Sequence, residues 1–265
     1  MHSSPLSAHL EGIWQAIEPL LPTFTVELLP SVDSTNSELM RRARAGAVEP
    51  VLLAADSQTA GRGRMGKAWH SQAGQSLTFS LSLPLSPASW SGLSLAVGVS
   101  LAESLHPEVR LKWPNDLWLH GRKLGGILVE TAHHGEGVRQ PRVVVVGVGI
   151  NIARPDAAAV AGASSTPPPV PAAGLAEICI GQTAGETLAA LAPGLARDLL
   201  RFEAEGFAAF AQRFEALDAL QGRMVTLSDG SHGRADGVDA SGALRVQTDA
   251  GCRVINSAQV SVRPC

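Results

Sequence analysis

Hydrophobic and polar positions alternate along this chain in a readable order. Leu10, Ile13, Trp14, Ile17 and Leu20 form a helical stripe within residues 8–21. FTVELLP (24–30) reads as a strand. Thr35 and Glu38 stand at capping-box spacing, which predicts a helix from there to about Ala45, with Gly46 as its stop. VLLAADS (51–57) predicts a buried strand. A polar, glycine-rich loop spans 58–76, and the strict alternation of LTFSLSLPL (77–85) predicts a strand with one wetter face. A helix rich in small residues covers 86–106, and a strand covers 109–113. Two strands follow, joined near Gly121. RVVVVGVGINI (142–152) is almost wholly apolar and predicts a central strand buried on both faces.

Residues 153–173 form an Ala-, Ser- and Pro-rich surface loop, and 183–214 carry leucines at helical spacing with a kink expected at Pro193. From Gln221 the grammar changes to five short strands with Gly or Asp turns, predicting a small β-barrel. The pattern is that of an α+β protein, a mixed β-sheet domain with flanking helices over 1–220 and a small C-terminal β-barrel domain over 221–265.

Composition narrows the function classes. The chain has 265 residues, 17% charged and 45% hydrophobic, with a net charge of -3, so nothing pulls it globally toward nucleic acid or an acidic membrane. No apolar run is long enough to span a bilayer, and the N-terminus lacks a basic segment followed by an apolar one, so neither an anchor nor a secretory signal is expected. Cys179, Cys252 and Cys265 have no disulfide or zinc spacing, which predicts a reduced, cytoplasmic setting.

Chemistry concentrates in a few segments. Gly61-Arg62-Gly63-Arg64-Met65-Gly66-Lys67 fits G-x-G-x-x-G but opens into KAWHSQAGQS, poor helix material, and no acidic residue follows about twenty positions on. A dinucleotide fingerprint is therefore rejected, as is a Walker A loop. Three cations among glycines still suit a polyanion whose charge grows during reaction, although a solvated basic loop reads the same way. Trp69 is awkward on an exposed loop unless it closes over something. Lys112-Trp113-Pro114-Asn115-Asp116, followed by Lys123, suits a phosphate or carboxylate, or merely a hairpin turn. Two glycines in Gly147-Val148-Gly149-Ile150-Asn151 imply close approach to a strand, and Asn151 is either an adenine-facing group or a satisfied core amide. Asp33-Ser34-Thr35-Asn36 reads first as a helix cap. His133-His134 lacks metal spacing to other ligands, and no metal site is expected from the protein.

Taken in order, DSTN (33–36), QTAGRGRMGKAW (58–69), KWPNDLW (112–118), KLGGILVE (123–130) and VGVGINI (146–152) resemble the biotin protein ligase family, with weaker similarity through the helices and the terminal β unit. The resemblance implies an ATP- and Mg2+-dependent enzyme that makes biotinyl-5′-AMP and transfers biotin to a lysine of a biotin carboxyl carrier protein. It also implies roles. Ser34, Thr35, Asn36, Gln58, Arg62, Gly63, Arg64 and Lys123 would bind biotin. Arg64, Trp69, Lys112, Asn115, Lys123, Asn151 and Arg263 would bind ATP. Lys123, Arg62, Arg64 and Asp116 would be catalytic, Asp116 by orienting or deprotonating the incoming amine. Met65 stands where the family often has a further basic residue. Only about 23 residues precede the first core strand, too few for the DNA-binding module of some relatives, so a ligase without DNA binding is expected. Lipoate ligation, or non-enzymatic sensing of biotin or nucleotide, is the alternative, and homodimerisation is left open.

Overall fold

The computed structural model describes residues 6–132, 142–156 and 171–256, together with the backbone of 263–264. His133, His134, Cys265, most of the proline-rich stretch and the side chain of Arg263 lie outside the described residues. Five α-helices are described, α1 (Leu10–Ile17), α2 (Thr35–Arg44), α3 (Leu93–Leu105), α4 (Ala184–Glu205) and α5 (Ala211–Leu217). The strands are β1 (Thr25–Leu29), β2 (Val51–Ala55), β3 (Ser76–Leu85), β4 (Arg110–Lys112), β5 (Asp116–Leu119), β6 (Arg122–Ala132) and β7 (Arg142–Asn151), then β8 (Met224–Thr226), β9 (His232–Val238), β10 (Leu244–Thr248), β11 (Gly251–Ile255) and β12 (Arg263–Pro264).

The first seven strands form one mixed sheet in the order β1-β2-β3-β7-β6-β5-β4. Only β1 and β2 run parallel; the other neighbours are antiparallel. Two-residue periodicity then assigns each side chain to a face. Leu77, Phe79, Leu81, Leu83 and Leu85 of β3 enter the main core together with Val144, Val146, Val148 and Ile150 of β7. Buried residues of α1, α3 and α4 cover this face. The opposite face carries Ser76, Thr78, Ser80 and Ser82 of β3, and Val143, Val145, Gly147, Gly149 and Asn151 of β7. Among the described residues only α2 covers it with a helix, and Leu39, Met40 and Ala43 pack on Leu53, Ala132, Val143 and Val145. One turn earlier, α2 presents Thr35 and Asn36 to the serine and glycine part of the sheet.

Several expectations need correction. Ser34 caps α2, and Glu38 is drawn to Arg41 and Arg42 instead of closing a capping box. The helix expected over 86–106 begins only at Leu93, after Gly92 with φ 81°. α4 runs through Pro193 as one 22-residue helix and stops at Gly206, whose φ of 67° breaks the helical path before a 3-10 turn (Phe207–Phe210) and α5. The C-terminal strands form an open sheet, ordered β11-β10-β9-β8-β12, instead of a closed barrel. Among the described residues its end strands β11 and β12 do not pair, and its inner side chains Val225, Ala235, Leu244 and Val246 seal against the main core. Among the described residues no helix is long and apolar enough to cross a membrane.

The second sheet is tied to the first by the Trp113 indole, which donates to the Gly242 carbonyl at 3.1 Å, and by Ala219 N–H donating to the Leu111 carbonyl at 2.8 Å. Beside that second tie, Asp218 accepts from Leu220 N–H through Oδ1, while Oδ2 is buried without a partner. Burial pushes its carboxyl up from 3.8 to about 6. The native state therefore holds the proton more tightly than the unfolded chain. The resulting stability cost is absent below pH 4, grows as pH rises, and is complete above about pH 6. Asp218→Asn should raise the melting temperature at pH 7.5, by an amount equivalent to about 1–3 kcal/mol, with the gain fading near pH 4. Equal melting of variant and parent at neutral pH would contradict this.

Candidate active site

Two missing side chains make room for the site. On the α2 face of β7, Val143 and Val145 give way to Gly147 and Gly149 before Asn151 ends the strand. A Cβ at Gly147 would run into the Asn36 carboxamide, and one at Gly149 would run into the Trp69 indole. Glycine is needed here for close approach, not for an unusual φ.

A directed chain of hydrogen bonds lines the Gly147 end. Gln58 Oε1 accepts from Thr35 N–H at 2.8 Å. Thr35 Oγ1 and Ser80 Oγ lie 2.8 Å apart, and Ser80 Oγ donates to Asn36 Oδ1 at 3.0 Å. Asn36 Nδ2 donates to Glu130 Oε2 at 2.7 Å, and Arg62 Nη2 donates to the same oxygen at 2.8 Å. Arg62 Nε also donates to Ser37 Oγ. Ser34, Thr35, Asn36 and Ser80 are buried. Buried polar side chains need such pairing to be tolerated.

The predicted loop is a small hairpin. Trp69 N–H donates to the Gly61 carbonyl, Gly63 N–H donates to the Lys67 carbonyl, and Arg62 bridges Ala68. Its tip is a 3-10 turn (Arg64–Gly66) with Met65 exposed at φ 55°. Gly61 has no room for a Cβ because the Trp69 carbonyl and Gln58 close on it. This hairpin lays Trp69 on Gly149, where the indole N–H is buried without a partner.

Cations gather on the neighbouring strands. β6 pairs Gly126 with Gly149, and Lys123 folds over Gly126. Lys123 Nζ reaches Asp116 Oδ1 at 2.7 Å, and Lys112 Nζ lies 3.6 Å from Oδ2 of the same carboxylate. The Lys112 ammonium also stands over the Trp118 ring. Burial pushes Lys112 below the usual lysine range; Asp116 pulls it back, whereas Lys123 and Lys67 push it further down. Arg64 donates to Asn115 Oδ1 at 3.4 Å, and its burial lowers its pKa against the pull of Asp116. Arg64 also lines a cavity of about 460 Å³ between β6, the start of α3 and the second sheet, along with Trp90, Trp113, Arg142 and Asn256. Lys112 of β4 and Lys123 of β6 meet at Asp116 of β5, which lies in register with Gly126 and Gly149, and at a strand spacing of about 4.8 Å β5 is roughly 10 Å from β7 along this face.

Most predicted site residues therefore converge. Asn115 is partly committed, since its Nδ2 donates to the Ile127 carbonyl. Asn151 Nδ2 donates to the Ala173 and Lys123 carbonyls, so its amide fixes the backbone that carries Lys123. Arg263 contributes its backbone to β12, and its side chain lies outside the described residues. Sequence reasoning assigned no role to Ser80 and Glu130. Alternation could have found both, because Glu130 shares a face with Gly126 and Ser80 is the β3 neighbour of Gly147. Among the described residues no group of three His, Cys, Asp or Glu is placed to hold a metal.

Gly149→Ala should lift Trp69 and loosen the hairpin. Trypsin should then cut after Arg62, Arg64 or Lys67 at least about tenfold faster than in the parent, with a stability loss of about 1–3 kcal/mol. Unchanged cleavage would show that the hairpin does not depend on the glycine.

Residues 28–151 match the biotin/lipoate A/B protein ligase family, and residues 222–263 match the biotin protein ligase C-terminal domain. The biotin--[acetyl-CoA-carboxylase] ligase of Paracoccus denitrificans is 36% identical over 247 residues, covering 88% of this chain and 98% of the relative. The bifunctional ligase/repressor BirA of Escherichia coli is 36% identical over 251 residues, covering 90% of this chain and 74% of its own length. Among solved structures, the Aquifex aeolicus biotin protein ligase in complex with biotin and ATP superposes with a TM-score of 0.70 at 28% identity, covering 91% of this chain and 99% of that one. A sheet face notched by two glycines, a polar chain at one end and clustered cations at the other thus sit on the sequence of a relative matched along nearly its whole length, and the chain belongs to the biotin protein ligase family.

Proposed function

We propose that this chain is an ATP-dependent biotin protein ligase working on the α2-facing side of its main sheet. The observation that carries the reading is the placement of the Thr35–Asn36 polar chain and the Lys112–Lys123 cations along one glycine-notched face, with Arg64 beside them at Asn115. A urea ring needs paired donors and acceptors in a dry setting, and the buried Ser34, Thr35 and Asn36 provide them, with the half-buried Gln58 beside them. The hairpin residues Arg62 and Gly63 close that end. The biotin carboxylate then extends toward Lys123.

In the first step a biotin carboxylate oxygen bonds to the α-phosphorus of ATP, the bond to the β-phosphate bridging oxygen breaks, and pyrophosphate leaves. Both reactants are anions, so the barrier falls when cations already stand there. Lys123 and Arg64 occupy that position in the reading, with Lys112 and Asn115 beside the phosphates, Trp69 against the nucleotide and Arg263 from the terminal strand. Magnesium, bound to ATP as part of the substrate, would neutralise phosphate charge beside Lys112 and Lys123. Asp116 is engaged by two ammonium groups and does not offer itself as a resident metal ligand. Asn151 supports the adenine side through the backbone that it pins.

In the second step a neutral lysine amine of a biotin carboxyl carrier protein attacks the anhydride carbonyl, an amide forms, AMP leaves and the amine's proton passes to solvent. The double ammonium pairing of Asp116 supports an orienting part over a proton-accepting one. The relative's name points to an acetyl-CoA carboxylase carrier, and a reaction that consumes ATP fits the cytoplasm.

The test is ATP–pyrophosphate exchange, driven by biotin and not by lipoate, followed by labelling of a carrier domain. Lys123→Ala should lower biotin-dependent exchange by about 100-fold or more while leaving the melting curve close to the parent's. Near-normal exchange in that variant would remove Lys123 from the chemistry, and exchange driven by lipoate alone would overturn the substrate.

A further inference from the structure

We propose that Glu130 is a positioning residue that fixes which way the Asn36 amide points, and thereby sets the specificity of the urea-binding end for a ligand N–H. Glu130 is in contact with neither Lys123, Lys112 nor Asp116, and of the residues assigned above it meets Asn36 and Arg62. It stands on β6 opposite Val145, two residues along the strand from the position facing Gly147. Its carboxylate can only accept, and one oxygen receives both Asn36 Nδ2 at 2.7 Å and Arg62 Nη2 at 2.8 Å.

That one-way acceptor orders the whole chain. With Nδ2 committed to Glu130 at 2.7 Å, and only at 3.5 Å to the Leu128 carbonyl, Asn36 turns Oδ1 the other way, where Ser80 Oγ donates to it at 3.0 Å. Ser80 has a single hydroxyl hydrogen, committed to Asn36, so Thr35 Oγ1 gives its own hydrogen to Ser80 at 2.8 Å in preference to its longer contact with Gln58 Oε1 at 3.2 Å. The Gln58 carbonyl oxygen is taken by Thr35 N–H, which leaves its amide nitrogen as a donor beside Gly61. Asn36 Oδ1 lies against the space where Gly147 lacks a Cβ and retains a second lone pair. The result is an acceptor facing one part of the pocket and a donor facing another, the complement of a urea N–H and a urea carbonyl.

Arg62 uses the same carboxylate to neutralise a charge at the pocket wall, and Glu130 is only 26% exposed. A glutamine at 130 could donate as well as accept, so the Asn36 amide could flip and present N–H where the ligand also presents N–H. Removing the direction, not the contact, is then what weakens binding.

The proposal rests on the biotin reading of the site, and the experiment separates the two. Biotin and ATP affinities are measured by calorimetry on the full chain for parent, Glu130→Gln, Asn36→Ala and the double variant, with competition titration where binding is weak. Biotin affinity should fall by roughly tenfold or more in Glu130→Gln, with ATP affinity and kcat at saturating biotin within about threefold of the parent. In the Asn36→Ala background the same substitution should change biotin affinity by less than about threefold, because the amide through which it acts is gone. Ser80→Ala, which cuts the chain on the other side of Asn36, should weaken biotin without affecting ATP, and it serves if Glu130→Gln does not fold. Equal penalties in both backgrounds, or parent-like biotin binding in Ser80→Ala, would overturn the role of Glu130. A parent chain that binds no biotin would overturn the functional reading and this one with it.

Discussion

The missing Cβ atoms at Gly147 and Gly149 are the constraint on which the rest of the site depends. β7 is a central strand, buried from Val143 to Asn151 and paired on both sides. On its back face it carries Val144, Val146, Val148 and Ile150, which hold the main core. On its front face it carries valines where α2 packs and glycines where Asn36 and Trp69 must touch the backbone. One strand thus anchors the fold with one set of alternate residues and opens a pocket with the other. Fold stability and site shape are separated by a period of two.

The same division runs through α2. Its later turns bury Leu39, Met40 and Ala43, while its first turn offers Ser34, Thr35 and Asn36. Burying three polar residues in a helix's first turn is costly unless each finds a partner. Ser34 accepts from Ser37 N–H, Thr35 meets Gln58 and Ser80, and Asn36 meets Ser80 and Glu130. The cation cluster obeys the same rule, since Lys112 is buried only with Asp116 beside it and the Trp118 ring beneath. Asp116 thus balances the charge of the two ammonium groups that close on it.

Much of this was legible in the residues. Alternation in 77–85 and the valine run of 142–152 marked the two central strands, and the glycines of VGVGIN marked close approach. What local pattern could not show were long-range partners. Thr35 and Glu38 had capping-box spacing, but two arginines one turn on took the glutamate. The glycine-rich loop looked irregular because its hairpin depends on Trp69 seating on a strand about eighty residues away. Asn151 read equally as an adenine-facing group or a satisfied core amide, and only its Nδ2 contacts to the Lys123 and Ala173 carbonyls show what it holds within the chain. Glu130 sat inside a quoted motif without a role, because its partners, Asn36 and Arg62, come from other elements. The open second sheet had the strand count of a barrel, and closure is a property of pairing between its ends, not of spacing.

Titration of biotin into Gly147→Ala tests most directly whether the glycine notch makes the site. A methyl there must turn Asn36 away from Ser80 and Glu130 while leaving the back-face core of β7 untouched. The account predicts that biotin affinity falls by about 100-fold or more while the melting temperature stays within about 5 °C of the parent. Parent-like biotin affinity in the folded variant would contradict it.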